Sequence, residues 1–497
     1  MSTVLGIDVG TQSVKVLVYC ADTKQCKAIA TAPLALHQNR HGVAEQQAQW
    51  WIDGLQAALK QIGPSVLANL AAIGVSGQQH GFVPIDANGQ PLVPVKLWCD
   101  TSTTAECDYL TAQMGGDDAC IAELGNPILP GYTASKLLWF RNAHADLYAQ
   151  MDCILLPHDY VNFYLTGEKT MEAGDASGTG FMDVRARQWS RQMLGIVDPN
   201  TDLRDRLPRI GTSMAPIGKL RPSVASELGL PPGIPVAPGG GDNMMGAIGT
   251  GNVKPGMVTM SLGTSGTIYS YADVSVTDPN GDIAAFCSST GGWLPLICTM
   301  NCTAGTQLMQ DLFATTISQF EANLKISAHG AQGVIAVPFF NGERTPNLPG
   351  GKACLFGLDG QNMRQENILR ATVEGVTFGL RAGLELLANQ GVTAQGIVLT
   401  GGGANSPAWR QIVADICNAP VKVLANPEAA ALGAALQALA SLTGADIEKV
   451  AGEHLATAAD AYCLPQRDAA DFYREHYQSY RQAAAHVKAL YRERKPA

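Results

Sequence analysis

Short apolar runs alternate along this chain with glycine-bearing turns and longer stretches of helical periodicity. Residues 4–9 are apolar at most positions and predict a buried strand, residues 10–13 a turn, and residues 14–19 a second strand. Residues 48–62 carry the 3.6-residue spacing of an amphipathic helix. Residues 70–76 and 81–85 read as strands around the bend Gly77-Gln78-Gln79-His80. Residues 133–145 and 158–165 read as helices. Residues 236–238 open a strand–glycine–helix unit that passes through Gly239-Gly240-Gly241-Asp242-Asn243 into the helical run 244–248. Further on, 257–261 and 267–269 form another hairpin, and 396–400 leads through a glycine turn into a helix over 407–417. Beyond about residue 440 the chain becomes helical and more charged, through residues 471–494, which predicts a surface helix without chemistry of its own. Strands and helices that alternate in this way predict an α/β architecture.

The two hairpins resemble one another. Gly10-Thr11-Gln12-Ser13 and Gly263-Thr264-Ser265-Gly266 each join two strands through glycine and hydroxyl residues, half a chain apart. That echo predicts a duplicated domain. The 497 residues exceed what one hydrophobic core normally serves. The expected boundary lies near residue 246, giving domains 1–246 and 247–497 joined by a tight hinge.

Composition narrows the partners. The net charge is −9 with no Lys/Arg run, which argues against nucleic acid or an anionic membrane as partner. No segment approaches the length of apolar chain that spans a bilayer, and the first residues run straight into a strand pattern with no secretory signal. The twelve cysteines are irregularly spaced without a CxxC pair, as expected of free thiols in a reducing cytoplasm. The sequence leaves a homodimer open.

Candidate chemistry lies in the glycine turns. In the first hairpin, Gly10 lets backbone approach an anion, while Thr11, Gln12 and Ser13 supply N–H and hydroxyl groups. Asp8 precedes this turn. A carboxylate beside phosphates requires a cation between them, so Asp8 points to Mg²⁺, and Lys15 is placed to counter a terminal phosphate. A plain hairpin with a capping Asp is the competing reading. Gly263, Thr264 and Ser265 repeat the pattern without the acid, so the pair would clamp an oligophosphate from two sides. Asp242 comes after three glycines. It reads either as an N-cap or as a carboxylate presented where the backbone passes close to a ligand, able to accept the proton of a sugar hydroxyl. Gly401, Gly402, Gly403, Ala404 and Asn405 lie between a strand and a helix N-terminus, an arrangement suited to a nucleotide and also common as a simple turn. Gln79 and His80 in their bend, with Trp98 and Asp100 nearby, offer hydrogen bonds and an aromatic face to a polyol, although a histidine in a bend is often structural.

Taken in order, these segments resemble the FGGY family of carbohydrate kinases over nearly the whole chain. The resemblance rests on Asp8, Gly10, Thr11 and Lys15; on Gly131-Tyr132-Thr133-Ala134-Ser135-Lys136-Leu137-Leu138-Trp139; and on 353–358 together with Asn367, Ile368 and 371–374. Gly342-Glu343-Arg344-Thr345-Pro346 matches another recurring segment. The resemblance implies two actin-like (ribonuclease H-like) ATPase domains with a catalytic cleft between them, ATP and Mg²⁺ as cofactors, and a small sugar as substrate. The loop 77–81 and the turn 239–243 are similar to those of members acting on D-xylulose. By that resemblance Gln79, His80, Trp98, Asp100 and Asn243 face the ketose, Asp242 is the base, Asp8 serves the metal, and the turns at 10–12, 263–265 and 401–405 hold ATP. Two positions depart from the pattern: Gln79 stands where Met is usual, and Ser102 where an Arg is usual. A kinase for ribulose, glycerol or gluconate is the alternative within the family; a non-metabolic actin-like ATPase is the alternative outside it.

Overall fold

The computed structural model describes residues 3–211 and 214–492. They form two compact units. The first contains the chain up to Lys254, the insertion Tyr271–Pro295 and the segment Glu428–Leu455; the second contains Pro255–Ser270, Leu296–Pro427 and the chain from Ala456 onward.

The first unit is built on a seven-stranded sheet. Thr3–Val9 lies at its centre, antiparallel to Ser13–Cys20, which pairs antiparallel with Gln25–Pro33. On its other side Thr3–Val9 runs parallel to Leu70–Gly77. Pro235–Val236 and Gly240–Gly241 continue the parallel part beside Leu70–Gly77. The apolar run at 4–9 therefore becomes a strand buried on both faces, as parallel pairing demands. Register sets Asp8 beside Ser76 on one neighbour and Lys15 on the other, and Gly240 beside Ser76. The carboxyl ends of three parallel strands thus converge, which is where α/β sheets bind ligands.

Helix Ala48–Leu59 buries Trp51, Ile52, Leu55, Ala58 and Leu59. It stops short of the expected residue 62 because Gly63 and Pro64 interrupt it. Helix Thr133–Ala143 ends before 145 at His144, whose backbone is non-helical. Helix Pro157–Thr166 matches the expectation closely. The Ala-rich helix Ala429–Thr443 packs against Thr3–Val9, Leu70–Gly77 and helix Asp242–Thr250. Its approach is so close that a Cβ on Gly6 or Gly249 would fall well inside contact distance of the carbonyl oxygens of Ala431 and Ala429.

The second unit repeats the plan. Its six-stranded sheet runs Leu296–Thr299, Gly266–Ser270, Met257–Leu262, Gly396–Thr400, Val421–Leu424, Thr457–Cys463. Here too a three-stranded antiparallel meander is extended by strands parallel to its first member. Spatial order 3-2-1-4-5 in both sheets is the duplication that the hairpin echo implied. Helix Arg467–Tyr491 belongs to this core: Tyr473, Tyr477 and Tyr480 are buried along one stripe. The Tyr473 hydroxyl donates to Glu374 at 2.6 Å and accepts from Arg370 at 2.8 Å. The expected helix packed on the surface is thus present, with one face buried in this core; Arg494 lies outside the described residues.

Candidate active site

In the first unit the two loops expected to serve different substrates are hydrogen-bonded to each other. The Thr11 hydroxyl donates to Gln78 Oε1 at 3.0 Å and accepts from the Trp98 indole at 3.0 Å. Its proton is therefore directed inward; the Gly10 N–H donates to the Ser13 carbonyl at 3.0 Å, so the turn is left the backbone N–H groups of Thr11 and Gln12 to offer an anion. Gln78 is fully buried. Its backbone donates to Val9 O and its amide to Gln46 Oε1, while Gln46 donates to the Thr11 carbonyl at 2.8 Å. Lys15 is held in an ion pair with Glu428.

Asp242 is the first residue of helix Asp242–Thr250, and Gly241 is its N-cap. The capping reading of Asp242 is thereby set aside. The three glycines before it answer to close approaches: a Cβ on Gly239 would strike the Val75 carbonyl, one on Gly240 the Ser289 hydroxyl, and one on Gly241 would sit 2.7 Å from Gln79 Cγ. Gln437, the one amide side chain in the Ala-rich helix, clamps Gly239 by accepting from its N–H at 2.8 Å and donating to its carbonyl at 3.0 Å. Asn243 donates from its backbone to Asp242 Oδ1 at 2.8 Å and from its side chain to Gln79 Oε1 at 2.9 Å. The loop 77–81 and the turn 239–243 are thus one hydrogen-bonded assembly.

His80 has φ +64°, which is uncommon for a residue with a side chain. Its carbonyl accepts from Lys136 Nζ at 2.8 Å and from the Thr133 hydroxyl at 3.2 Å, and its ring lies against Tyr132 and Phe286. Gly178 faces the same ring, where a Cβ would overlap Cε1. Trp98 is 47% exposed.

Asp100 is placed differently from the expectation. It is fully buried, and its carboxylate accepts from Ala44 N, Ser102 N, the Ser102 hydroxyl and Lys96. No lone pair is left facing a sugar; the side chain folds the loop that presents Trp98.

In the second unit the turns at Gly263, Thr264, Ser265 and at Gly401, Gly402, Gly403, Ala404, Asn405 come after adjacent parallel strands and lie together; a Cβ on Gly401 would be 2.7 Å from the Leu262 carbonyl. Gly402 is exposed with open space around it. Residues 402–405 form a single 3₁₀ turn. The helix N-terminus beyond is not available to an anion, contrary to the expectation: Ser406 caps helix Pro407–Cys417, and Glu321 accepts from Ala408 N at 3.0 Å and from the Ser406 hydroxyl.

Known proteins settle the family. Residues 3–249 match the N-terminal domain of the FGGY family of carbohydrate kinases, and residues 258–442 match its C-terminal domain. The chain belongs to the FGGY family of carbohydrate kinases. It is 41% identical over 494 residues to a xylulose kinase of Haemophilus influenzae, covering 98% of this chain and all of that one. Among solved structures, a xyloylose kinase from Brucella ovis superposes with a TM-score of 0.90 at 30% identity, covering 98% of this chain and 99% of the other. A gluconate kinase from Lactobacillus acidophilus gives the same TM-score at 22% identity, covering 99% and 100%, a likeness of fold.

In this carbohydrate kinase the acidic groups disturb one another. Burial pushes the Asp242 carboxyl up to about 7, with the neighbouring Asp8 and then Asp175 adding repulsion. Burial also raises Asp8, against the Ser76 hydroxyl, which donates to it at 2.9 Å, and the charge of Lys15. Behind them, buried His158 lies 2.7 Å from Asp175 and 2.9 Å from Asp159. Sequence reading missed Gln46, Gln437, Lys136 and His158. Two signals were available: Lys136 lies within the Gly131–Trp139 segment that carries the family resemblance, and Gln437 is a lone amide in an Ala/Leu run. All twelve cysteines are free thiols, and among the described residues no helix is long and apolar enough to cross a membrane.

Proposed function

We propose that this FGGY kinase transfers the γ-phosphoryl group of ATP to O5 of D-xylulose, with Asp242 as general base, yielding D-xylulose 5-phosphate. The observation that carries this reading is the Asp242–Asn243–Gln79 assembly beside His80 and Trp98, supported by full-length similarity to a xylulose kinase. A carboxyl raised to about 7 suits a base that must take a hydroxyl proton near neutral pH and hold it as transfer proceeds. Gln79, His80 and Asn243 provide the polar contacts to the ketose, and Trp98 its stacking face. Ser102, where an Arg is usual, is bonded to Asp100 and Lys96; the missing charge is the feature that speaks for another ketose or polyol as acceptor.

Gly10, Thr11, Gln12 and Lys15 of the first unit, and Gly263, Thr264, Ser265 with residues 401–405 of the second, would hold ATP. Two mutually repelling carboxylates, Asp8 and Asp242, fit a cation among them, and Asp8 would hold Mg²⁺ through water. When bound, Mg²⁺ neutralises charge on the phosphate oxygens. Asp242 then has one task, accepting the O5 proton as that oxygen attacks in line with the leaving ADP oxygen.

A coupled ADP-release assay across ketopentoses, glycerol and gluconate tests the proposal. D-Xylulose should give the highest kcat/KM; a much higher value for another acceptor would replace it as substrate.

A further inference from the structure

Glu343 lies in the Gly342–Pro346 segment, to which the catalytic reading gives no task. It is buried, with 5% of its surface exposed. Its Oε1 accepts from the backbone N–H of Met300 at 2.6 Å and of Arg344 at 2.8 Å, and its Oε2 from Asn301 Nδ2 at 3.3 Å. Asn301 returns the contact by donating to the Gly342 carbonyl at 2.6 Å and accepting from Asn341 N at 3.1 Å. One carboxylate and one carboxamide therefore lock residues 341–344 onto residues 300–301.

Residues 302–304, next along the chain, touch the phosphate turn. Thr303 donates from its N–H and its hydroxyl to the Gly263 carbonyl, both at 2.8 Å. Cys302 N and Ala304 N donate to the Thr264 carbonyl at 3.1 and 3.2 Å. These are N–H groups at the start of helix Thr303–Leu312, which has no side-chain cap. In a trans peptide the carbonyl and the next N–H point in opposite directions within one rigid plane. Holding the carbonyls of Gly263 and Thr264 against the helix therefore turns the N–H groups of Thr264 and Ser265 the other way.

We propose that Glu343 is a positioning residue for the nucleotide phosphates, fixing the direction of the Thr264 and Ser265 N–H groups through Met300, Asn301 and the start of the adjoining helix. This rests on the reading of 263–265 as a phosphate turn. The carboxylate is required because only N–H donors converge on it; an amide would set its own NH₂ against one of them.

Binding of ATP and of AMP to the full chain, measured by calorimetry, separates positioning from general support. Glu343→Gln should weaken ATP binding about tenfold while AMP and sugar affinities change less than about twofold. Asn301→Ala, which keeps the carboxylate but loses half of the lock, should act in the same direction and serves if Glu343→Gln does not fold. Ser265→Pro, which deletes one of the N–H groups, tests the underlying reading. If Ser265→Pro leaves ATP affinity intact, the phosphate turn itself is misassigned. If Ser265→Pro weakens ATP while folded Glu343→Gln or Asn301→Ala leaves ATP at wild-type affinity, or weakens AMP equally, the positioning role is overturned.

Discussion

The ammonium of Lys136 donates to the carbonyl of His80 at 2.8 Å and to that of Gly131 at 2.6 Å. A fully buried lysine is thus spent on two backbone carbonyls, one of them belonging to a residue in a left-handed conformation. Removal of those bonds lets the His80 loop relax. Lys136→Met is expected to raise KM for the sugar several-fold with KM for ATP little changed, measured in steady-state kinetics.

The same lysine makes stability depend on pH. Burial lowers its pKa from 10.5 to about 7. Between those values the unfolded chain holds a proton that the folded chain has released, so its contribution to stability rises with pH from about 7 towards 10.5, by about 1.4 kcal/mol per unit. Below pH 7 its full cost is present. The stability of Lys136→Met relative to wild type should therefore be greatest near pH 6 and decline as pH rises to 9. A difference that stays flat in urea melts across that range would show the amine to be charged throughout.

Gly178 leaves no room for a side chain beside the His80 ring. Gly178→Ala should displace the imidazole and raise KM for the sugar about tenfold, with the calorimetric ATP affinity unchanged. Equal effects on both substrates would mean that His80 does not contact the sugar selectively.

Asp242→Ala should lower kcat by at least about a hundredfold, the usual contribution of a positioned general base, while ATP still binds. Rapid-quench measurement of a single turnover reads the chemical step directly. Transfer at the wild-type rate would remove Asp242 from the base role.

Gln437 satisfies both polar groups of Gly239. Gln437→Leu leaves a buried N–H and a buried carbonyl without partners, a loss of about 2–4 kcal/mol. A lower Tm should be accompanied by a lower kcat, because the freed turn leads directly into Asp242.

Glycine patterns made much of this site legible in sequence. A backbone that must pass close to a strand, a hydroxyl or a side chain excludes Cβ, so Gly239, Gly240 and Gly241 are marked by composition alone, and the strands and helices around them appear nearly where apolar periodicity put them. Partners were not legible. Gln437 lies 198 residues from Gly239, and nothing local links Glu343 to Met300 or Glu321 to Ser406. Asp100 shows the converse error. An acid two residues from an exposed Trp looks like a sugar ligand, yet Lys96 and three hydrogen-bond donors draw it inward. Local spacing cannot tell which way a carboxylate in a loop will turn.

The Ala429–Thr443 helix carries a consequence for synthesis. It arrives late in the chain yet supplies packing to the first strand made, at contacts too tight for any other residue to fill the glycine positions. A nascent chain emerging from the ribosome cannot finish its first unit until residues beyond 428 have been made, and a recombinant fragment ending at Lys254 would expose the apolar face that this helix covers. Chimaeras between related kinases should therefore exchange the late segment together with the early half.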